Sequence, residues 1–217
     1  IASPSDPLEG TQFSLEELKA ACEEAEAANL YAMAHAYSPR AVTRAVRSGV
    51  RSIEHGNLID EATAKVMKTE GAFLVPTLST YVALADEGER LGWSREMLGK
   101  LARVRERGIE AVQIAVAAGV PVVLGTDLLG HMHDRQSGEF DLRLPAMSPV
   151  QVLQSATFTA AQLLREEGRL GELVAGAWAD VLLVDGDPTR ELSVLTRPDH
   201  GIPLIVQGGR VVKNALA

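Results

Sequence analysis

Short apolar segments alternate with helical segments along residues 1–164, and this alternation restricts the possible folds more than any other feature of the chain. Strands are predicted at 30–36, 50–55, 72–78 and 120–124. Three of them, 30–36, 72–78 and 120–124, are mainly apolar without alternation, as expected of strands that are covered on both faces. Because short links join these strands to helices, the pattern favours parallel strands with right-handed crossovers. The sequence therefore predicts an α/β fold around a parallel sheet.

Local signals define the helices between these strands. Ser14 and Glu17 have the spacing of a capping box, which predicts that a helix begins there. The polar segment that contains Gly88 and Gly92 is predicted to be a loop. Helices are predicted at about 14–28, 39–49, 60–71, 94–118 and 148–164.

The pattern changes at about residue 171. Short strands separated by turns are predicted at 179–184, 202–207 and 210–213. They are too few to form a stable module alone, so we expect a small β appendage. We divide the chain into 1–170 and 171–217. The first seven residues read as a loop entered in mid-chain.

Composition excludes several classes of function. The formal net charge is -8 and no basic stripe is present, so nucleic-acid binding is not expected. No apolar stretch is long enough to predict a membrane span. Cys22 is the single cysteine, which excludes an internal disulfide and fits a reducing compartment, so we expect a cytoplasmic protein.

Polar side chains follow three of the predicted strands at the same relative position. His35, His55 and Asp127 each lie where a strand ends. The carboxyl ends of parallel strands converge in an α/β barrel, and imidazole and carboxylate groups suit zinc and related divalent metals. A single buried histidine is more often structural, and an aspartate there can cap the next helix. Three such residues in register favour a metal site.

Other polar residues near these strand ends allow two interpretations. The Tyr37 hydroxyl could donate to a developing oxyanion at the barrel mouth, or the ring could simply pack at the rim. His131 and His133 form an H-x-H pair, but they lie in a polar segment after Asp127. We favour a solvated or substrate-facing loop for this pair over a metal site.

Several motifs together resemble the amidohydrolase superfamily. The most similar branch is the imidazolonepropionase-like group, which includes zinc-dependent prolidases (Xaa-Pro dipeptidases) and related carboxypeptidases. The resemblance covers essentially the whole chain. The motifs are Ala34-His35-Ala36-Tyr37-Ser38, Ser52-Ile53-Glu54-His55-Gly56, Val75-Pro76-Thr77-Leu78, Gly125-Thr126-Asp127 and the segment 176–188.

This resemblance implies a metal-dependent (β/α)8 TIM barrel with a small β-sandwich domain made from both chain ends. The chain would supply strands five to eight and the C-terminal strands of the sandwich. His35 matches the metal ligand on strand five, His55 the ligand on strand six and Asp127 the ligand on strand eight. The family's strand-one H-x-H and strand-four carboxylated lysine have no match here. The resemblance therefore implies a missing N-terminal half as a partner.

The implied reaction is hydrolysis of an amide C–N bond by a metal-activated water, with two divalent ions, expected to be zinc, in the complete site. Asp127 would be both ligand and general base, and Tyr37 would assist at the carbonyl or bind a substrate carboxylate. Gln136, Ser137 and Glu139 follow strand eight and are candidates for substrate binding. The expected substrates are dipeptides, above all X-Pro, or N-acyl amino acids.

Two alternatives remain open on the sequence. The first is a cyclic-amide hydrolase or deaminase of the same superfamily. The second is an inactive fragment or assembly subunit, because a half barrel exposes unpaired strand edges. Such a chain should need either the missing half or further copies of itself, so a homo-oligomer is also expected.

Overall fold

Three parallel strands form the sheet on which the site is built. The computed structural model describes residues 5–216. The sheet has the order β1 (Met33–Ala36), β2 (Ser52–His55) and β3 (Phe73–Val75). The segment 120–124 extends this order, since Val122 forms an isolated parallel bridge with Leu74. The predicted parallel sheet is thus confirmed, with strands shorter than expected.

Helices cross between these strands, and four of the first five begin and end close to the predicted positions. The Ser14 hydroxyl accepts from Glu17 N at 3.2 Å, and Ser14 N donates to the Glu17 carboxylate at 2.7 Å, so the capping box is confirmed. Gly119 adopts a left-handed conformation, φ 74°, and ends the longest helix. The first helices are α1 (Leu15–Ala27), α2 (Pro39–Arg47), α3 (Glu61–Glu70), α4 (Leu78–Glu87) and α5 (Arg95–Ala118).

Helix α4 corrects the prediction of a strand to residue 78, whereas the segment that contains Gly88 and Gly92 is a loop between α4 and α5, as predicted. The sequence after β3 lacks a local helix-capping pattern. In the structure α4 buries one face, including Tyr81 and Leu84, against α5. Tertiary packing therefore makes a helix where the local signal was weak.

The segment after residue 127 is helical instead of an open polar loop. A 3-10 helix spans Gly130–Arg135, and α6 spans Gly138–Arg143. The long helix predicted at 148–164 is also wrong in one respect. It is divided at Thr157, φ -128° and ψ -96°, into α7 (Pro149–Ala156) and α8 (Phe158–Leu164).

A second sheet of three antiparallel strands forms the predicted β appendage. Its order is β4 (Val181–Leu183), β5 (Leu204–Gln207) and β6 (Arg210–Asn214). Before β5 lie a 3-10 helix, Leu192–Leu195, and the short helix α9 (Pro198–Gly201). Leu192, Leu195 and Ile202 belong to the same hydrophobic core as Ile53 and Leu74 of the parallel sheet. The division of the chain at residue 171 stays a prediction.

Within residues 5–216, no helix combines the length and apolar character of a membrane span.

Arg51 secures the amino-terminal ends of the strands. Its guanidinium lies 5.7 Å from the Tyr31 ring centre and 5.1 Å from that of Phe73. It also donates to the Gln162 and Leu163 carbonyls, at 2.8 and 3.2 Å. One side chain thus joins the starts of three strands to the end of α8, through cation–π and charge-assisted contacts.

A fully buried ion pair joins three other parts of the fold. Arg143 Nε lies 2.9 Å from Glu139 Oε1, and both side chains are 0% exposed. The Glu139 carboxylate accepts from Leu78 N at 3.2 Å and from Ser79 N at 2.7 Å. Arg143 Nη2 donates to the Val123 carbonyl at 3.1 Å. The pair therefore connects α6 to the start of α4 and to the segment 120–124.

Replacing Arg143 with Met should lower the free energy of unfolding by about 3–5 kcal/mol, because the Glu139 charge is left buried without its cation. Urea denaturation measures this loss. The control is Arg107→Met, which breaks the exposed pair with Glu110 and should change stability by less than about 1 kcal/mol. Equal losses in the two variants would contradict the role assigned to the buried pair.

Candidate functional site

Two histidines meet at the carboxyl ends of β1 and β2. His35 Nδ1 lies 2.7 Å from His55 Nε2, and the ring centres are 4.9 Å apart. In the strand register His35 pairs with Glu54, so regular alternation would turn His55 to the other face. A left-handed backbone at His55, φ 79°, breaks that alternation. This local distortion brings the two imidazoles together.

His55 is enclosed by three further side chains. Its Nδ1 lies 2.8 Å from Thr77 Oγ1, on the side of the ring opposite His35. The Tyr37 ring stacks on it with centres 5.1 Å apart, and Tyr81 meets it edge-on at 5.9 Å. Burial and the neighbouring His35 charge lower the pKa of His55 to about 3. His55 is therefore neutral at neutral pH, which is the form of histidine that binds metals.

Asp127 follows the segment 120–124 and lines the same cavity as the two histidines. It has a left-handed backbone, φ 49°, and is exposed to solvent. Loss of solvation raises the pKa of its carboxyl, while the His35 charge acts in the opposite direction. His35, Tyr37, His55 and Asp127 line one cavity of about 840 Å³. The four residues predicted to carry the chemistry are thus brought to one place.

Thr77 and Tyr81 also belong to this site and were not predicted from the sequence. Thr77 has a left-handed backbone, φ 48°, and Tyr81 lies four residues later on α4. The Tyr81 side chain is 1% exposed, and its hydroxyl makes no well-formed hydrogen bond within residues 5–216. Burial, and then Tyr37, raise its pKa far above the ordinary value. The i, i+4 spacing after a strand end was the available signal.

Of the four residues predicted to bind substrate, Tyr37 lines the described cavity, whereas Gln136, Ser137 and Glu139 do not. Gln136 is exposed and Ser137 is half-buried, both between the 3-10 helix and α6. The Glu139 carboxylate is fully buried and bound to Arg143 and α4. For these three residues substrate binding stays a prediction, and Glu139 already has a structural use.

His131 lies on the outside of the site. Its Nε2 is 2.7 Å from Glu87 Oε2 and 3.2 Å from Arg90 Nη2, and its side chain is 62% exposed. Arg90 and His131 lower the pKa of the Glu87 carboxyl. The H-x-H segment is therefore held to α4 by a surface charge cluster, in keeping with its interpretation as a solvated segment.

The donor set suits a divalent metal, although its present arrangement is not that of a complete metal site. Among the described residues, no group of three or more His, Cys, Asp and Glu side chains is placed to hold an ion. The 2.7 Å between His35 and His55 is a hydrogen-bond length. Two ligands of a tetrahedral zinc are roughly 3.3 Å apart, so the rings would separate by roughly half an ångström. A neutral His55 with a hydroxyl on its outer nitrogen fits such a ligand.

The amidohydrolase family pattern matches residues 6–211. Ochratoxinase of Aspergillus niger is 30% identical over 216 residues, which are 99% of this chain and 44% of that protein. The crystal structure of an amidohydrolase is 45% identical with a TM-score of 0.97, over 100% of this chain and 52% of that one. A prolidase complexed with N-methylphosphonate-L-proline is 47% identical with a TM-score of 0.95, over 99% and 52%.

The chain thus spans about half the length of the relatives that it matches. It corresponds to the C-terminal half of their fold, as the motifs predicted.

The left-handed backbone at Asp127 gives a stability test that is independent of catalysis. Asp127→Gly should unfold with a free energy about 1 kcal/mol higher than Asp127→Ala, because only glycine adopts this conformation without strain. Urea denaturation of the two variants measures the difference.

The control is Ala117→Gly, at an exposed position of α5. There glycine should lower stability by about 0.5–1 kcal/mol, the opposite sign. If glycine were unfavourable at both positions, the backbone at Asp127 would not be strained.

Proposed function

This chain belongs to the amidohydrolase family, and from that membership we propose that it carries half of the active site of a metal-dependent hydrolase of amide C–N bonds. The observation that supports this most directly is the convergence of His35 Nδ1 and His55 Nε2 at the strand ends. Two histidines beside a carboxylate form a donor set for zinc-type ions. We assign metal binding to His35, His55 and Asp127.

Each residue of the cavity has a proposed part in the reaction. A bound divalent ion would polarise the scissile carbonyl and acidify a water molecule. Asp127 removes the proton from the attacking water and transfers it to the leaving amine. Tyr37 lies against His55 and donates to the substrate carbonyl or carboxylate.

We propose dipeptides, with X-Pro preferred, as the substrate class. Support comes from the prolidase that is 47% identical to this chain and was crystallised with a proline phosphonate. The chain is also similar to ochratoxinase, so we keep N-acyl amino acids as a second substrate class in this proposal. We also propose that the metal is zinc and that the complete site holds two ions.

The surface of the chain supports a partner that completes the fold. β1 pairs only with β2 among the described strands, and Met33 on it is 60% exposed. Apolar side chains near and within the second sheet, including Trp178 at 57% and Val211 at 55%, are also exposed. We propose that the N-terminal half of the barrel covers these surfaces. We also propose that this chain supplies strands five to eight of the barrel and the C-terminal strands of the composite sandwich. A second copy of the chain is the alternative partner for these surfaces.

Asp127→Asn should lower kcat for X-Pro dipeptides by about 10²–10⁴-fold while bound metal is retained, because the amide cannot act as a general base. The assay uses this chain alone and fused behind the remaining first part of the 47% identical prolidase. Metal is measured by elemental mass spectrometry.

His131→Ala, outside the cavity, is the control and should leave kcat unchanged. His55→Ala should remove most of the bound metal. A fusion that holds metal but cleaves no amide would contradict the proposed function. Full activity in Asp127→Asn would exclude Asp127 as the base.

A further inference from the structure

Among the described helices of eight or more residues, α4 is the one whose N-cap side chain makes no hydrogen bond to the first turn. An N-cap hydroxyl or carboxylate normally accepts from a backbone N–H in the first turn. Thr77 occupies the N-cap of α4, but its side chain makes no such bond. The residues that do cap their helices in this way are Ser14, Ser38, Asp60, Ser94 and Ser148.

Glu139 performs the capping of α4 from a distance of about sixty residues in the chain. Its carboxylate accepts from Leu78 N, Ser79 N and Ser79 Oγ at 3.2, 2.7 and 2.6 Å. A carboxylate also complements the positive end of the helix dipole. The first backbone donors of α4 are therefore satisfied without Thr77.

Thr77 directs its hydroxyl to the histidine pair instead. Its backbone is left-handed, φ 48° and ψ 51°, which is an unfavourable conformation for a β-branched residue. The Thr77 side chain is buried, and Oγ1 lies 2.8 Å from His55 Nδ1. Strain of this kind persists where the surroundings impose it, and often at functional sites.

We propose that Thr77 is a positioning residue for His55, and that the Glu139 cap frees it for this role. His55 Nδ1–H donates to Thr77 Oγ1, so the Nε2 lone pair faces the cavity and His35. The hydrogen bond holds the imidazole in one tautomer and one orientation. Outer hydrogen bonds of this kind define ligating histidines in metal sites.

The functional part of this inference rests on the proposed metal-dependent activity, whereas the tautomer of His55 does not. The tautomer is read from two-bond ¹H–¹⁵N correlation spectra of the histidine rings in the metal-free chain. The native protein and Thr77→Ser should both show a protonated Nδ1 and an unprotonated Nε2 at His55. Thr77→Val, which keeps the shape and removes the hydroxyl, should lose this pattern.

Thr80→Val is the matched control, because Thr80 is a buried threonine on the same helix. It should leave the His55 pattern as in the native protein. If Thr77→Val does not fold, Thr77→Ala removes the same hydroxyl with less crowding at the left-handed backbone. An unchanged His55 tautomer in the folded variant without the hydroxyl would overturn the proposal.

The second readout is the zinc affinity of the fusion with the first part of the prolidase, measured by competition with a chelator. Thr77→Val should bind zinc about 10–100-fold more weakly than Thr77→Ser, the effect expected for loss of an outer hydrogen bond. Equal affinity would overturn the functional part. A native fusion with the first part of the prolidase that neither binds zinc nor cleaves amides would contradict the proposed function. The His55 tautomer in the metal-free chain would still test the positioning role of Thr77.

Discussion

The buried pair of Glu139 and Arg143 is the interaction on which the arrangement of the site depends. Removing both charges from water is costly, and the fold offsets this with hydrogen bonds to nearly every polar atom of the pair. Those bonds hold the start of α4 and the carbonyl of Val123. Thr77 immediately precedes α4, and Asp127 lies four residues after Val123. One ion pair therefore holds the backbone next to two residues of the site.

The parallel sheet and the histidine positions could be predicted because their signals are local. A short apolar segment with His35 near its end describes β1, and a short segment between two helical patterns, ending in His55, describes β2. Helix α4 could not be found in this way. Its cap is Glu139, which follows it by some sixty positions, so the sequence around Thr77 contains no capping pattern. The break at Thr157 has no glycine or proline to announce it.

The candidate site was predicted by residue type and position, but its geometry depends on backbone conformations that the sequence does not reveal. His55, Thr77 and Asp127 are all left-handed, although none is glycine. The conformation at His55 breaks the alternation of the strand and turns its ring toward His35. Glu139 was assigned to substrate because it follows a strand end, and a buried helix of six residues was not anticipated there. Tyr81 was overlooked because it lies on α4, which was also not predicted.

The cluster around Arg51 has a mechanical consequence for the opposite end of the sheet. It ties the beginnings of three strands to α8, so that end behaves as a fixed pivot. Because Arg51 adds its contacts at that end, small movements of the strands should be larger at the other end, where His35 and His55 lie. A slight separation of the carboxyl ends of β1 and β2 would therefore move the two imidazoles apart by the amount that an ion requires. Such a movement involves no sliding of one strand along its neighbour and no repacking of the core.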